Sequence, residues 1–93
     1  MEVKIGLITI RGWEKDGNWR RLIDDDYGSS ISVYKISHKG EFKEYVPAFF
    51  GKLEFLKEHY KLMYGDIRFK TLHDAKNNID LFLIRFNNLK AFI

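Results

Sequence analysis

Cysteine is absent from this 93-residue chain. That absence excludes a disulfide scaffold, a thiolate zinc site and a cysteine nucleophile together, and it fits a reducing compartment. Proline occurs once, at Pro47, and no Pro- or Gly-rich linker, repeat or low-complexity segment divides the chain, so residues 1–93 read as one domain. No stretch approaches the roughly 20 apolar residues a membrane span needs. The opening "MEVKIGLITI" carries Lys4 inside its apolar run and has neither a basic n-region nor a small-residue cleavage site. It reads as a strand and not a signal peptide, and the expectation is a soluble cytoplasmic protein.

Catalytic signatures are missing as well. There is no Walker loop, no G-x-G-x-x-G and no G-x-S-x-G. The three histidines, His38, His59 and His73, form no His-x-x-x-His pair of the kind that binds zinc on a helix. Ser29 and Ser30 have aspartate neighbours but no histidine close in sequence, so nothing resembles a nucleophile with its base. The expectation is a protein that is not an enzyme, with no cofactor and no metal. The acidic cluster "DDDYGSS" at 24–30 is read as a solvated turn that stops strand pairing. The alternatives for Asp24–Asp26 are a hard-cation site or a carboxylate patch for a basic partner.

The chain has apolar and aromatic material in quantity, 45% and 16% of its residues, with a net charge of +3. Residues 1–46 are neutral overall, so the whole excess lies in residues 47–93. Charges of both signs are interleaved and no basic run of five appears, which makes the electrostatic case for nucleic acid weak.

The periodicity changes midway. Residues 2–10 alternate at Val3, Ile5 and Leu7, and Asp16-Gly17 is a strong hairpin signal that returns the chain along Asn18 to Ile23. A second hairpin pairs "SISVYKIS" with "EFKEYVPAFF" around Lys39-Gly40, with Pro47 ending its strand or marking a sheet edge. Beyond Gly51, Leu53, Leu56, Tyr60 and Met63 fall at helical spacing, with Gly65 as C-cap. "DIRFK" reads as a connector or edge strand. Thr71 then caps a last helix, whose stripe runs Leu72, Ala75, Ile79, Phe82, Phe86, Leu89 and Ile93. A strand over "IDLFLIRF" is the alternative there. The expected fold is α+β: an antiparallel sheet of about four strands from two hairpins, packed with helices near 52–64 and 71–91.

Two tryptophans flank the Asp-Gly turn in "RGWEKDGNWRR", and so small a chain needs a reason for both. A two-residue loop would pair Lys15 with Asn18, Glu14 with Trp19, Trp13 with Arg20 and Ile10 with Ile23. Trp19 would then share the core face of Ile10 and Ile23, leaving Trp13 beside Arg20 on the other face. Trp13 is then either a cross-strand cation–π partner, worth about 0.5–1 kcal/mol, or an exposed binding anchor together with Arg20 and Arg21. A five-residue loop would instead bring both tryptophans to one face.

In the second hairpin, a two-residue loop would set Val33 opposite Val46, Ile31 opposite Ala48 and Ser37 opposite Phe42, with a Lys35–Glu44 ion pair. Tyr34 and Tyr45 would share the other face with Ile36 and Lys43. Tyr34, Lys43 and Tyr45 are thus a second candidate face, able to stack single-stranded bases or to form an ordinary cross-strand pair. His59, on an apolar shoulder with Phe55 and Leu62, is read as packed or half-exposed and His73 as solvent-facing. Leu81, Leu83 and Ile84 widen the last helix's apolar surface, which either packs on the first helix or makes a two-fold homodimer.

"IRFKTLHDAKNNIDLF", residues 67–82, resembles the Phe-x-Thr-x-x-x-Ala junction where a strand enters the helix of the small three-stranded DNA-binding domains of integrase arms, through Phe69, Thr71 and Ala75. The helix expected at 52–63 departs from that pattern. A cysteine-free chain of this size, rich in Lys, Ile, Asn and Phe, also resembles small phage-encoded proteins that block host machinery, anti-CRISPR proteins among them. The functional expectation is a non-catalytic inhibitor or regulator acting through protein–protein contacts at Trp13, Arg20, Arg21, Tyr34, Lys43 and Tyr45. The alternative is a nucleic-acid-binding module using the aromatics and the basic second half.

Overall fold

A computed structural model describes residues 2–37, 39 and 43–91, with side chains as far as residue 87. Five strands form one antiparallel sheet in chain order: β1 (Val3–Ile5), β2 (Ile8–Asp16), β3 (Asn18–Ile23), β4 (Ser30–Ser37) and β5 (Lys43–Phe50). Two helices follow, α1 (Glu54–Tyr64) and α2 (Leu72–Ala91). The α+β class is as the patterning implies, with one strand more than expected. The extra strand arises because Gly6, at φ 61°, turns the chain inside residues 2–10, so that Ile5 pairs with Ile8 and Leu7 is fully exposed at the tip. Alternation at Val3, Ile5 and Leu7 hides that turn, since only a glycine adopts such a φ without strain.

The sheet curls into a half-barrel. Its inner face carries Ile5, Ile10, Ile23, Ile31 and Val33, all buried, against Leu53, Leu56 and Tyr60 around α1 and Ala75, Ile79, Phe82, Leu83 and Phe86 of α2. Each such aliphatic burial is worth about 1.5–3 kcal/mol. Phe82 lies at the centre, its ring 5.1 Å from Tyr60 and 6.2 Å from Phe49. The segment 79–86 is helical, and Leu83 belongs to the core. Met63 is exposed, while Tyr64 packs in its place. α1 starts two residues later than its periodicity suggests and has no side-chain cap, whereas Gly65 closes it by donating its N–H to the Lys61 carbonyl at 2.8 Å. At α2 the expected cap is present: the Thr71 hydroxyl accepts the Asp74 N–H at 3.1 Å.

Both long hairpins are one residue out of the expected register. Around Gly17 (φ 74°), Asp16 faces Asn18, Lys15 faces Trp19, Glu14 faces Arg20 and Trp13 faces Arg21. A bulge between Ile10 and Trp13 restores the Ile10–Ile23 pair. In the second hairpin Val33 faces Pro47, Ile31 faces Phe49, Tyr34 faces Val46 and Lys35 faces Tyr45. That register turns Phe49 and Tyr45 to the core side, a larger apolar gain than Ala48 and Val46 would offer, and apolar burial is what sets register. It also dissolves the expected Lys35–Glu44 pair, since Glu44 binds Arg68 instead at 2.8 Å. Phe42, His38 and Gly40 lie outside the described residues.

β5 is an edge strand. Tyr45 exchanges two backbone hydrogen bonds with Phe69, at 2.7 and 3.0 Å. Its N–H therefore points away from β4, and by alternation so does the nitrogen of Pro47. Proline is tolerated here because β4 asks no donor of it.

Candidate functional site

The bulge decides where the tryptophans go. By absorbing one residue at Arg11-Gly12 it places Trp13, Lys15, Trp19 and Arg21 on the inner face and sends Glu14, Asp16 and Arg20 to the outer one. The tryptophans thus share a face, where the two-residue-loop reading set them apart. Arg20 does not approach Trp13: it pairs with Glu14 at 2.9 Å and Asp16 at 3.0 Å on the outer surface.

Arg21 is only 3% exposed. Its Nε donates to the Arg11 carbonyl in the bulge at 2.7 Å, and its Nη1 meets Asp80 Oδ1 of α2 at 2.7 Å. Trp13 Nε1 donates to the same carboxylate at 2.9 Å, and the guanidinium lies 5.8 Å from the Trp13 ring. One turn earlier on α2, the Lys76 ammonium sits 4.0 Å from the Trp19 ring centroid and 5.3 Å from Trp13. Both tryptophans therefore receive α2, through Lys76 and Asp80 at i, i+4. Sequence reasoning missed both helix residues. The available signal was that they continue from Leu72 at four-residue steps, alongside the apolar stripe.

At the hairpin-tip end of the inner face, beside the first residue of α2, Lys15, Asn18, Trp19, Val33, Lys35, Tyr45 and Leu72 line a cavity of about 280 Å³. Lys15 stands directly across from Trp19 and Lys35 across from Tyr45, with Lys43 two residues from Tyr45 on the same side. The Lys43 ammonium, and less strongly burial and Lys15, hold the Lys35 amine below its ordinary value. Among the described residues no carboxylate pairs with these three lysines.

The outer face of the sheet carries no helix. There Tyr34 and Phe50 meet edge to face with centroids 5.7 Å apart, beside Ile36, with all three 36–41% exposed. Of the six candidate residues, Arg20 and Tyr34 lie on this outer face, while Trp13, Arg21, Lys43 and Tyr45 lie on the inner one. A stacking platform made of Tyr34 and Tyr45 is therefore ruled out, because the register puts the two rings on opposite sides of the sheet.

The acidic turn is held by its own side chains. Asp25 accepts the N–H groups of Tyr27 and Ser29, and its carboxyl is held below the ordinary value by the Ser29 side chain first, with burial opposing and the backbone N–H groups of Ser29, Tyr27 and Gly28 adding to the lowering. Asp24 pairs with Arg11 at 2.6 Å. Among the described residues no three potential ligands gather for a metal. His59 packs edge-on to Phe86 at 5.0 Å, and His73 is exposed. Among the described residues Phe69 pairs with the sheet only through the single bridge to Tyr45, so residues 67–82 do not form a strand-to-helix junction of the three-stranded kind. No helix among the described residues is long and apolar enough to cross a membrane.

No protein-family model, no curated protein and no solved structure matches the chain.

Proposed function

We propose that the protein is a non-catalytic binding protein acting through protein–protein contacts, an inhibitor or regulator of the kind that small phage and mobile-element proteins are. What carries the reading is the helix-free outer face, where Tyr34, Phe50 and Ile36 form an exposed apolar patch. Contiguous exposed apolar surface on a small protein marks interaction sites, and aromatic residues and arginine are enriched in them. Arg20, held by Glu14 and Asp16, supplies a charged rim. Trp13 and Arg21, offered by the sequence as anchors, are instead committed to α2.

Affinity capture with the wild-type protein as bait, alongside a Tyr34→Ser/Phe50→Ser bait, tests the reading. A partner held by the wild type and lost by the double variant supports it, with Tyr34→Ala alone weakening binding by roughly 2 kcal/mol if that ring is a hot spot. Equal retention by both baits overturns it.

A two-fold homodimer through α2 belongs to the same proposal, because Leu81 and Ile84 are exposed on that helix. Sedimentation equilibrium should show concentration-dependent mass that Ile84→Glu abolishes. A monomer at all concentrations removes the dimer and leaves the outer-face reading standing.

A further inference from the structure

The inner face ends in an arrangement that the outer-face reading does not use. The register sets Lys15 across from Trp19 and Lys35 across from Tyr45, and brings Lys43 beside Lys35. Together with Lys76 on Trp19, four ammonium groups surround two aromatic side chains at one end of the half-barrel. Among the described residues, the acidic groups nearest them are engaged elsewhere: Glu14 and Asp16 with Arg20, Glu44 with Arg68, and Asp80 with Arg21. No carboxylate among the described residues pairs with Lys15, Lys35 or Lys43, and a bound anion would relieve their mutual repulsion, most strongly at low salt.

The cavity lined by Lys15, Lys35, Trp19 and Tyr45, about 280 Å³, falls just below the range of about 300–1,000 Å³ that small-molecule sites occupy, so it suits one ligand unit and not an extended cofactor. Lys43 stands next to Lys35 at its margin. Tyr45, Trp19, Val33 and Leu72 give it an aromatic and apolar wall. A ligand that matches both halves has a flat ring to lie against that wall and a negative charge to meet the lysines. We infer that this basin binds a nucleotide unit, its base against Tyr45 and Trp19 and its phosphate among Lys15, Lys35 and Lys43, either as a free nucleotide or within a single strand. An acidic peptide would satisfy the lysines and leave the wall unused, since stacking needs a π-face and every base has one.

The test is fluorescence anisotropy with a labelled ten-nucleotide oligo(dT), competed by thymidine monophosphate, inorganic phosphate and a glutamate-rich peptide. Three neutralised phosphates on a single strand give a log–log salt slope of about −2, so affinity should fall about 20-fold between roughly 50 and 200 mM salt. Lys35→Gln/Lys43→Gln should weaken binding at least tenfold at the lower salt, while Lys61→Gln, on α1, should leave it unchanged. Both replaced lysines are exposed and repel each other, so the double variant keeps its fold, which circular dichroism would verify. Displacement by thymidine monophosphate identifies the free nucleotide as sufficient, whereas displacement only by unlabelled strand identifies the strand. No saturable binding of either, tighter binding of the glutamate peptide, or an unaffected double variant would overturn the assignment. The outer-face reading stands or falls separately, through Tyr34 and Phe50.

Discussion

Arg21 shows how much one side chain does in a chain this short. It satisfies the bulge carbonyl of Arg11, flanks Trp13 and reaches across to α2, all from a nearly inaccessible position. Removing the charge that faces it takes a carboxylate away from a buried cation, a change that costs about 3–5 kcal/mol where it breaks a fully buried pair. The Asp80 side chain is 39% exposed, so solvent offsets part of that loss. Asp80→Asn is expected to lower stability by about 1–3 kcal/mol in urea unfolding, and Asp80→Asn with Arg21→Met should lie closer to wild type than the sum of the single changes. Tyr60 provides a second residue-level test. Its hydroxyl donates to Asn78 Oδ1, and burial, helped by Tyr64, pushes the phenol above its ordinary value of 10.0. A raised folded-state value favours the neutral form, so this contribution is complete below pH 10.0 and is lost as the pH rises beyond it. Thermal unfolding between pH 9 and 11 should show a decline that Tyr60→Phe reduces.

At the scale of elements, two turn glycines with the same sign of φ are predicted to behave differently. Gly51, at φ 85°, follows β5 where a Cβ would lie 2.3 Å from Ser29 Oγ and 2.7 Å from Ser29 Cα. That hydroxyl accepts the Lys52 N–H at 2.9 Å. Gly51→Ala must therefore strain φ and displace backbone, for a loss of about 2–4 kcal/mol. Gly17→Ala meets nothing within 4 Å and should cost only the left-handed φ, about 1–2 kcal/mol. Differential scanning calorimetry of the two variants would check the order. Both helices were legible from apolar residues at 3.6-residue spacing, although the run "IDLFLIRF", apolar on more than one face, also admitted a strand until packing on the sheet decided for α2. The hairpins were legible as hairpins but not in register. Near Gly17 and Lys39 a slip of one residue changes little locally, and only the fit of Ile31, Val33 and Phe49 beneath α2 separates the alternatives.

For the whole molecule, the one-sided cover of the sheet separates stability from binding. Substitutions on the outer face, Tyr34→Ser and Phe50→Ser, should each change unfolding free energy by little more than about 0.5 kcal/mol. Phe82→Ala at the fully buried centre should cost about 3–5 kcal/mol. Urea titrations would read the contrast. A large loss at Tyr34 would mean that the ring is structural and would remove the argument for an interface there. The same one-sidedness divides the six candidate residues between two surfaces, so the proposals at Tyr34 and at Tyr45 are tested by different variants.

Composition and periodicity alone determined that this is an α+β chain with the hairpins at Gly17 and Lys39-Gly40 and two amphipathic helices, and that Thr71 starts the last helix. Those features depend on neighbours within about a turn or a hairpin, where each residue type has few options. The inner-face sites were decided only in three dimensions. A one-residue bulge at Arg11-Gly12 brought Trp13 to the face of Trp19, and a one-residue slip in the second hairpin carried Tyr45 away from Tyr34 and toward Lys35. Strand side chains alternate with period two, so a single-residue shift sends every side chain to the opposite face. The energy that selects the register comes from packing against a helix some sixty residues further along the chain, at Lys76 and Asp80.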